Sequence, residues 1–168
     1  MEKDRPRFVE EEKLKQEVSL GLGIIIENEE NEVLMGLRTS ASGKGLLAIP
    51  GGVVDLDDNG DLGRTAIRET LEESGLDISH NKIDIISVDT SEVVKKGWLN
   101  FGLHTRVLGR PETIAQNGEY FAWAWVRRST VKVLINKPGV VFEPSRISLL
   151  SFYRREILYP FKGAKEEN

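Results

Sequence analysis

The sequence predicts an α/β fold in which a mixed β-sheet is held between helices, an α/β/α sandwich. Two kinds of periodicity and their order along the chain predict it. Apolar or alternating runs at Val18–Ile26, Val33–Arg38, Leu46–Ile49, Ile83–Asp89, Trp98–Val107 and Tyr120–Val126 have the length and residue content of strands. Helical patterns fall in the middle, from Asp61 to Ser74, and at the end, from Pro144 onward. The order strands, helix, strands, helix places helices on a sheet that no strand pattern leaves bare.

A chain of 168 residues suits one domain with a sizeable core. Its net charge is −4 with both signs interspersed, which argues against a nucleic-acid stripe or a polybasic membrane patch. There is no cysteine, so disulfides, thiolate zinc sites and cysteine nucleophiles are excluded. The charged start MEKDRPRFVEEEKLKQE has no apolar core of a signal peptide, and no window approaches the apolar length of a membrane span. The expectation is a cytoplasmic protein with neither a membrane nor a nucleic-acid partner.

In chain order, residues 1–17 form a charged arm with an apolar stripe of Phe8, Val9 and Leu14, and the main domain runs over residues 18–160. The first strand, Val18–Ile26, contains Gly21 and Gly23, turns at Asn28–Asn31 and returns as Val33–Arg38. The loop TSASGKG that follows, with Lys44, is able to close over phosphates, but it lacks the G-x4-G-K-[ST] spacing of a P-loop. Leu46–Ile49 leads into the stretch Pro50–Leu76, and after it Ile83–Asp89 and Trp98–Val107 are joined by a turn at Lys95-Lys96-Gly97. In Tyr120–Val126 a period of two sets Tyr120, Ala122, Ala124 and Val126 opposite Phe121, Trp123 and Trp125. One aromatic face builds core; the competing reading is that Trp98, Phe101 or Phe121 stacks a base. His104, alone in its strand, reads as a satisfied partner rather than a catalyst. Pro138-Gly139 is a turn, and Ile147, Leu150, Tyr153, Arg154, Ile157 and Leu158 give the last helix its stripe. Residues 161–168 read as a flexible tail.

The chemistry concentrates in Pro50–Leu76. Asp61 is the expected N-cap of a helix of about three and a half turns, and Gly75 the left-handed residue that ends it. At 100° per residue Gly63, Ile67, Thr70, Leu71 and Ser74 share one side, and Glu69, Glu72 and Glu73 the other. Like charges so spaced repel, and a hard divalent cation such as Mg²⁺, which prefers carboxylate and carbonyl oxygens, removes the repulsion. Gly51 and Gly52 would let a backbone carbonyl approach such an ion. The alternative is a solvated acidic face. The upstream Asp55-Leu56-Asp57-Asp58-Asn59-Gly60 fits the opening of an EF-hand loop, but its twelfth position is Ala66 rather than Glu and Pro50-Gly51-Gly52 stands where the preceding helix would be. An accessory cation in that loop stays open.

Arg68-Glu69-Thr70-Leu71-Glu72-Glu73-Ser74-Gly75-Leu76 resembles the right half of the Nudix box, G-x5-E-x7-R-E-U-x-E-E-x-G-U, with U a bulky aliphatic; only Thr70, at a U position, departs. The left half is remodelled. The box Glu would fall on Gly60, and Asp61 is expected to replace it, one residue nearer the arginine. The resemblance spans Val18–Leu158 and implies the Nudix sandwich and a Mg²⁺-dependent pyrophosphohydrolase, with Mn²⁺ as a substitute ion. It implies Glu72 and Glu73 as first-choice ligands, Glu69 as ligand or base, a carbonyl of Gly51 or Gly52 as a further ligand, and Arg68 as the residue that orients the glutamates. It also implies Arg38 as a phosphate contact, Glu119 or Glu112 as a further acid, a small-molecule nucleotide as substrate, and a homodimer. The arrangement is similar to the MutT type, so the expected reaction is NTP or dNTP to NMP plus pyrophosphate. A nucleoside diphosphate sugar or ADP-ribose is the second expectation, and a non-catalytic nucleotide-binding module the third.

Overall fold

A computed structural model describes residues 17–55 and 57–158. The expected arm with its Phe8, Val9 and Leu14, the tail at 161–168 and Leu56 lie outside these residues.

Strand β1 (Ser19–Glu27) is the axis of the fold. It runs parallel to β6 (Trp98–Arg106) from Ser19 opposite Trp98 to Glu27 opposite Arg106, and antiparallel to the short β4 (Gly51–Val53). Strand β5 (Asp84–Asp89) pairs antiparallel with β6, while β2 (Glu32–Arg38) pairs antiparallel with β3 (Leu47–Ala48) and with β7 (Tyr120–Arg127). Among the described residues the seven strands form one mixed sheet. Its parallel pair requires a long crossover, which contains helix α1 (Leu62–Ser74). Helices α2 (Val93–Lys96), α3 (Arg128–Leu134) and α4 (Glu143–Leu158) complete the order.

The alternation of β1 divides the core. Leu22, Ile24 and Ile26 point to the α1 side, where they cluster with Ala66, Leu76 and Leu103. Ile25 points to the other side and joins Met35, Ile49, Val131, Leu149 and Tyr153 beneath α3 and α4. Gly21 and Gly23 occupy that second face nearer the start of the strand, so the sheet there carries no side chain of β1.

Several expectations need correction. Gly51–Val53, for which no strand was expected, is a strand, because glycine alone lets this segment pack on β1: a Cβ at Gly51 would strike the Leu22 carbonyl. The Lys95-Lys96-Gly97 turn is the end of α2, closed by Gly97 at φ 65°. Helix α3 went unread because it follows β7 without a break and its N-cap, Arg127, makes no side-chain capping bond. The expected faces of α1 also change. The buried residues are Thr65, Ala66, Thr70, Glu73 and Ser74, whereas Leu71 is 45% exposed. Positions 66, 70 and 73 lie within one third of a turn, so Glu73 sits on the inward face and not with Glu72 on the outer one. His104 is a satisfied partner: its Nε2 lies 3.1 Å from the buried Glu27 carboxylate and its ring stacks on Phe152 at 4.7 Å. The terminal helix buries Ser145, Ser148, Leu149 and Tyr153, and the side chains of Ile157 and Leu158 lie outside the description.

Candidate active site

Helix α1 begins where the sequence indicates. Asp61 accepts the amides of Gly63 at 2.8 Å and Arg64 at 3.1 Å, and Gly75 ends the helix at φ 70° with its N–H on the Leu71 carbonyl. These caps fix which way Arg68, Glu69, Glu72 and Glu73 project.

Arg68 is the hub. Its Nη2 and Nε lie 2.8 and 3.1 Å from Asp58 Oδ2, and its Nη1 lies 2.8 Å from Glu69 Oε1 and 3.4 Å from Glu72 Oε2. Nη2 also approaches the Val53 carbonyl at 3.4 Å. Asp58 is 8% exposed and accepts the Thr65 hydroxyl at 2.8 Å as well. The Arg68 hydrogen bond holds the Asp58 carboxyl below its ordinary range despite opposing desolvation, and Asp58 in turn raises the guanidinium further from any neutral form. Asp61, expected to replace the box Glu, is spent on capping; the arginine's partner is Asp58, ten residues before it. Asn59 at φ 55° and Gly60 at φ 70° fold the inserted loop back far enough for this reach. The aspartate-rich run was the available signal, but counting along the box pointed past it.

Glu69 lies against Gly52, where a Cβ would overlap its carboxyl. Burial raises its pKa, Arg68 opposes this, and the charges of Glu72 and Glu119 add to the rise. Glu73, 1% exposed, accepts the Gly51 amide at 3.0 Å, and burial pushes it up to about 8 even though that amide pulls the other way. Its own carbonyl accepts the Trp123 indole at 2.9 Å. The structure thus brings Glu69 and Glu72 to one guanidinium nitrogen and turns Glu73 inward.

Arg68 and Glu69 open onto a cavity of about 670 Å³ that Gly51, Gly52 and Val53 also line. Its floor includes Gly21 and Gly23, and Ser145 and Ser148 of α4 face it. Trp98 and Phe101 both line it, as does Glu119, whereas Glu112 does not. Arg38 lines another part, with Nε on the Ser42 carbonyl at 2.9 Å, Nη1 on the Tyr120 hydroxyl at 2.9 Å and Nη2 on the Ser40 hydroxyl at 2.7 Å. Its guanidinium lies 4.5 Å from the Phe142 ring centroid. Lys44 is exposed on the neighbouring loop and is not among the lining residues. Phe121, expected to compete for base stacking, is 75% exposed and away from the cavity, while Trp123 and Trp125 of the same strand pack on the core.

Among the described residues no three His, Cys, Asp or Glu side chains form a ready-made metal cage. Mg²⁺ does not need one, since it keeps several waters and is held by one or two carboxylates together with substrate phosphates. The oxygens of Glu69 and Glu72, gathered on one nitrogen beside the side-chain-free Gly51-Gly52, fit such an ion.

Comparison with known proteins bears on the assignment. The NUDIX domain model matches residues 19–145. Among solved structures, the MutT protein from Methanosarcina mazei Go1 is similar at 20% identity and TM-score 0.64, over 85% of this chain and 98% of that chain. The NUDIX domain of Shewanella oneidensis NrtR, complexed with ADP ribose, is similar at 16% identity and TM-score 0.63, over 88% of this chain and 93% of that one. A bifunctional NMN adenylyltransferase/ADP ribose pyrophosphatase from Francisella tularensis, complexed with AMP and a Mn ion, gives 17% identity and TM-score 0.64, over 82% of this chain but 42% of that chain. A search of curated proteins finds no match. Likenesses at these identities establish the fold.

Proposed function

Because the chain belongs to the Nudix family, we propose that it is a Mg²⁺-dependent hydrolase of the pyrophosphate linkage in a nucleoside diphosphate derivative, converting NTP or dNTP to NMP plus pyrophosphate. The observation that carries this reading is the Arg68 hub, which gathers Glu69 and Glu72 on one guanidinium nitrogen and sets Glu69 on the wall of a 670 Å³ cavity able to hold a nucleotide.

Water attacks the α- or β-phosphorus, and the bridging P–O bond between the two breaks, so that NMP and pyrophosphate separate. A bound Mg²⁺, or Mn²⁺ in its place, would be held by Glu69 and Glu72 with Glu73 and a carbonyl of Gly51 or Gly52 as further donors, and would neutralise phosphate charge. Arg68 keeps Glu69 and Glu72 from splaying apart, and Asp58 keeps Arg68 in place. Arg38 has five N–H donors; its bonds to Ser40, Ser42 and Tyr120 leave the remainder for a phosphate oxygen. Lys44, exposed on the same loop, adds a positive charge near it. Glu119 or Glu69, both on the cavity wall, accepts the proton of the attacking water.

The test is a panel of nucleoside triphosphates, nucleotide sugars and ADP-ribose incubated with Mg²⁺ and followed by release of phosphate and pyrophosphate. Pyrophosphate from a triphosphate supports the reading. Turnover of a nucleotide sugar or ADP-ribose alone replaces it with the second reading, and tight nucleotide binding without turnover with a non-catalytic module. Glu73→Gln is expected to lose most turnover while its circular dichroism and melting curve stay near wild type, since the amide still accepts from Gly51. An active variant counts against the assignment.

A further inference from the structure

Glu92 is the N-cap residue of α2, yet its side chain makes no capping bond. Instead it lines the same cavity as Trp98 and Asn100, which follow on β6. One of its carboxylate oxygens, Oε2, is buried, while the side chain as a whole is 34% exposed. Lys96 Nζ lies 2.8 Å from that oxygen as an ion pair. The lysine side chain is 68% exposed, so the pair is held weakly and separates at small cost. Trp98 and Asn100 fold over Gly21: a Cβ there would lie 2.6 Å from Asn100 Oδ1 and 3.5 Å from the indole.

A carboxylate paired with a largely exposed lysine, in a cavity whose wall it shares with an aromatic ring and Gly21, suits a flat ligand with N–H groups on its edge. Among the common bases guanine alone presents two adjacent donors, N1–H and the N2 amine, matched to the two oxygens of a carboxylate. Its O6, next to N1–H, is an acceptor for an ammonium. Adenine offers an acceptor at N1 beside its amine, and would set a lone pair against Glu92.

Resting on the nucleotide reading above, we propose that Glu92 is the specificity-determining residue of the site and selects a guanine nucleotide, with Lys96 on O6 and Trp98 stacking the ring. Asn100 lies beside Trp98 over Gly21. The acid reads the base while Trp98 grips any base, because every base has a π-face.

The test is calorimetric titration of the full chain with GMP, IMP, AMP, CMP and UMP, a readout that needs no turnover. GMP is expected to bind at least tenfold more tightly than AMP, with IMP, which lacks the N2 amine, between them. Glu92→Gln should bring GMP down to the AMP level, and Trp98→Ala, checked for an unchanged melting point, should weaken all five alike. Equal binding of GMP and AMP by the wild type, or a guanine preference that survives in Glu92→Gln, overturns this inference and leaves the hydrolase reading standing. Failure of every mononucleotide to bind overturns this inference, while pyrophosphate release from a triphosphate still decides the hydrolase reading. Selective GMP binding with no hydrolysis of any compound keeps the inference and sinks the hydrolase.

Discussion

Asp58 and Asp61, three residues apart, show how a single side chain's partner decides its role. Asp61 accepts two helix amides and touches neither glutamate of the hub. Asp61→Ala is expected to cost about 1 kcal/mol of stability by loss of the cap, with kcat retained; denaturant unfolding and steady-state rates on the same protein check both halves. Asp58→Asn leaves the helix start intact but removes the charge facing Arg68. It should lower kcat by roughly tenfold or more, in line with the loss of a group that supports others at a site, and a variant with wild-type kcat would remove Asp58 from the hub. Gly52→Ala acts more directly, since the new methyl displaces the Glu69 carboxyl. Near-complete loss of turnover with cooperative unfolding preserved is the expected outcome.

At the scale of the element, α1 is a helix whose inward face is largely polar. Ala66 and the half-buried Leu62 and Ile67 supply its apolar contact, and Thr70, Glu73 and Ser74 are buried beside them. The Ser74 hydroxyl returns to the Thr70 carbonyl at 2.7 Å, and Glu73 takes the Gly51 amide. Thr70 Oγ1 is different, buried without a hydrogen-bond partner among the described residues. Thr70→Val keeps the shape and removes an unsatisfied hydroxyl, so it should leave stability unchanged or raise it by up to about 1 kcal/mol; thermal unfolding decides, and a drop of that size would mean the hydroxyl has a partner. The Nudix pattern asks for an aliphatic residue at this position, and the packing around Thr70 gives the physical ground for that preference.

At the scale of the whole molecule, the two faces of the sheet are specialised. The α1 face carries the hub, which opens onto the cavity floored by Gly21 and Gly23, while the other face holds, farther along β1, the buried Glu27 with His104 at 3.1 Å and Arg106 and Arg128 at 3.7 and 3.8 Å. Burial works to raise the Glu27 pKa, but the His104 hydrogen bond and the arginine charges outweigh it, and the carboxyl titrates below its ordinary value. The folded chain therefore holds fewer protons at this group than the unfolded chain in moderate acid. Its contribution is present above the unfolded value near 4.5 and is lost as pH falls through the lower folded value. Glu27→Gln should cost about 3 kcal/mol near neutrality, as removal of one member of a buried ion cluster does, and should flatten the acid side of the stability profile. Equal acid sensitivity in both proteins would show that the cluster does not set it.

Strand and helix positions in this chain were legible because they depend on period and on local caps: β1, β2, β5, β6 and β7 lie within a residue or two of their patterns, and Asp61 and Gly75 end α1 as their side-chain and backbone chemistry requires. The acids of the box and their arginine were legible as a spacing. What the spacing could not carry was which carboxylate faces which partner, because that depends on atoms brought together from distant segments. A left-handed bend at Asn59-Gly60 gives Arg68 to Asp58; the pairing of Gly51 with β1 turns Glu73 inward; the crossover sets Glu92 on the wall of the cavity that Gly21 and Gly23 also line. Local sequence determined the elements and the inventory of charged groups, since both follow from neighbours in the chain. Tertiary structure alone decided the burial and the partners that separate those groups from one another, since desolvation and hydrogen bonding act through space.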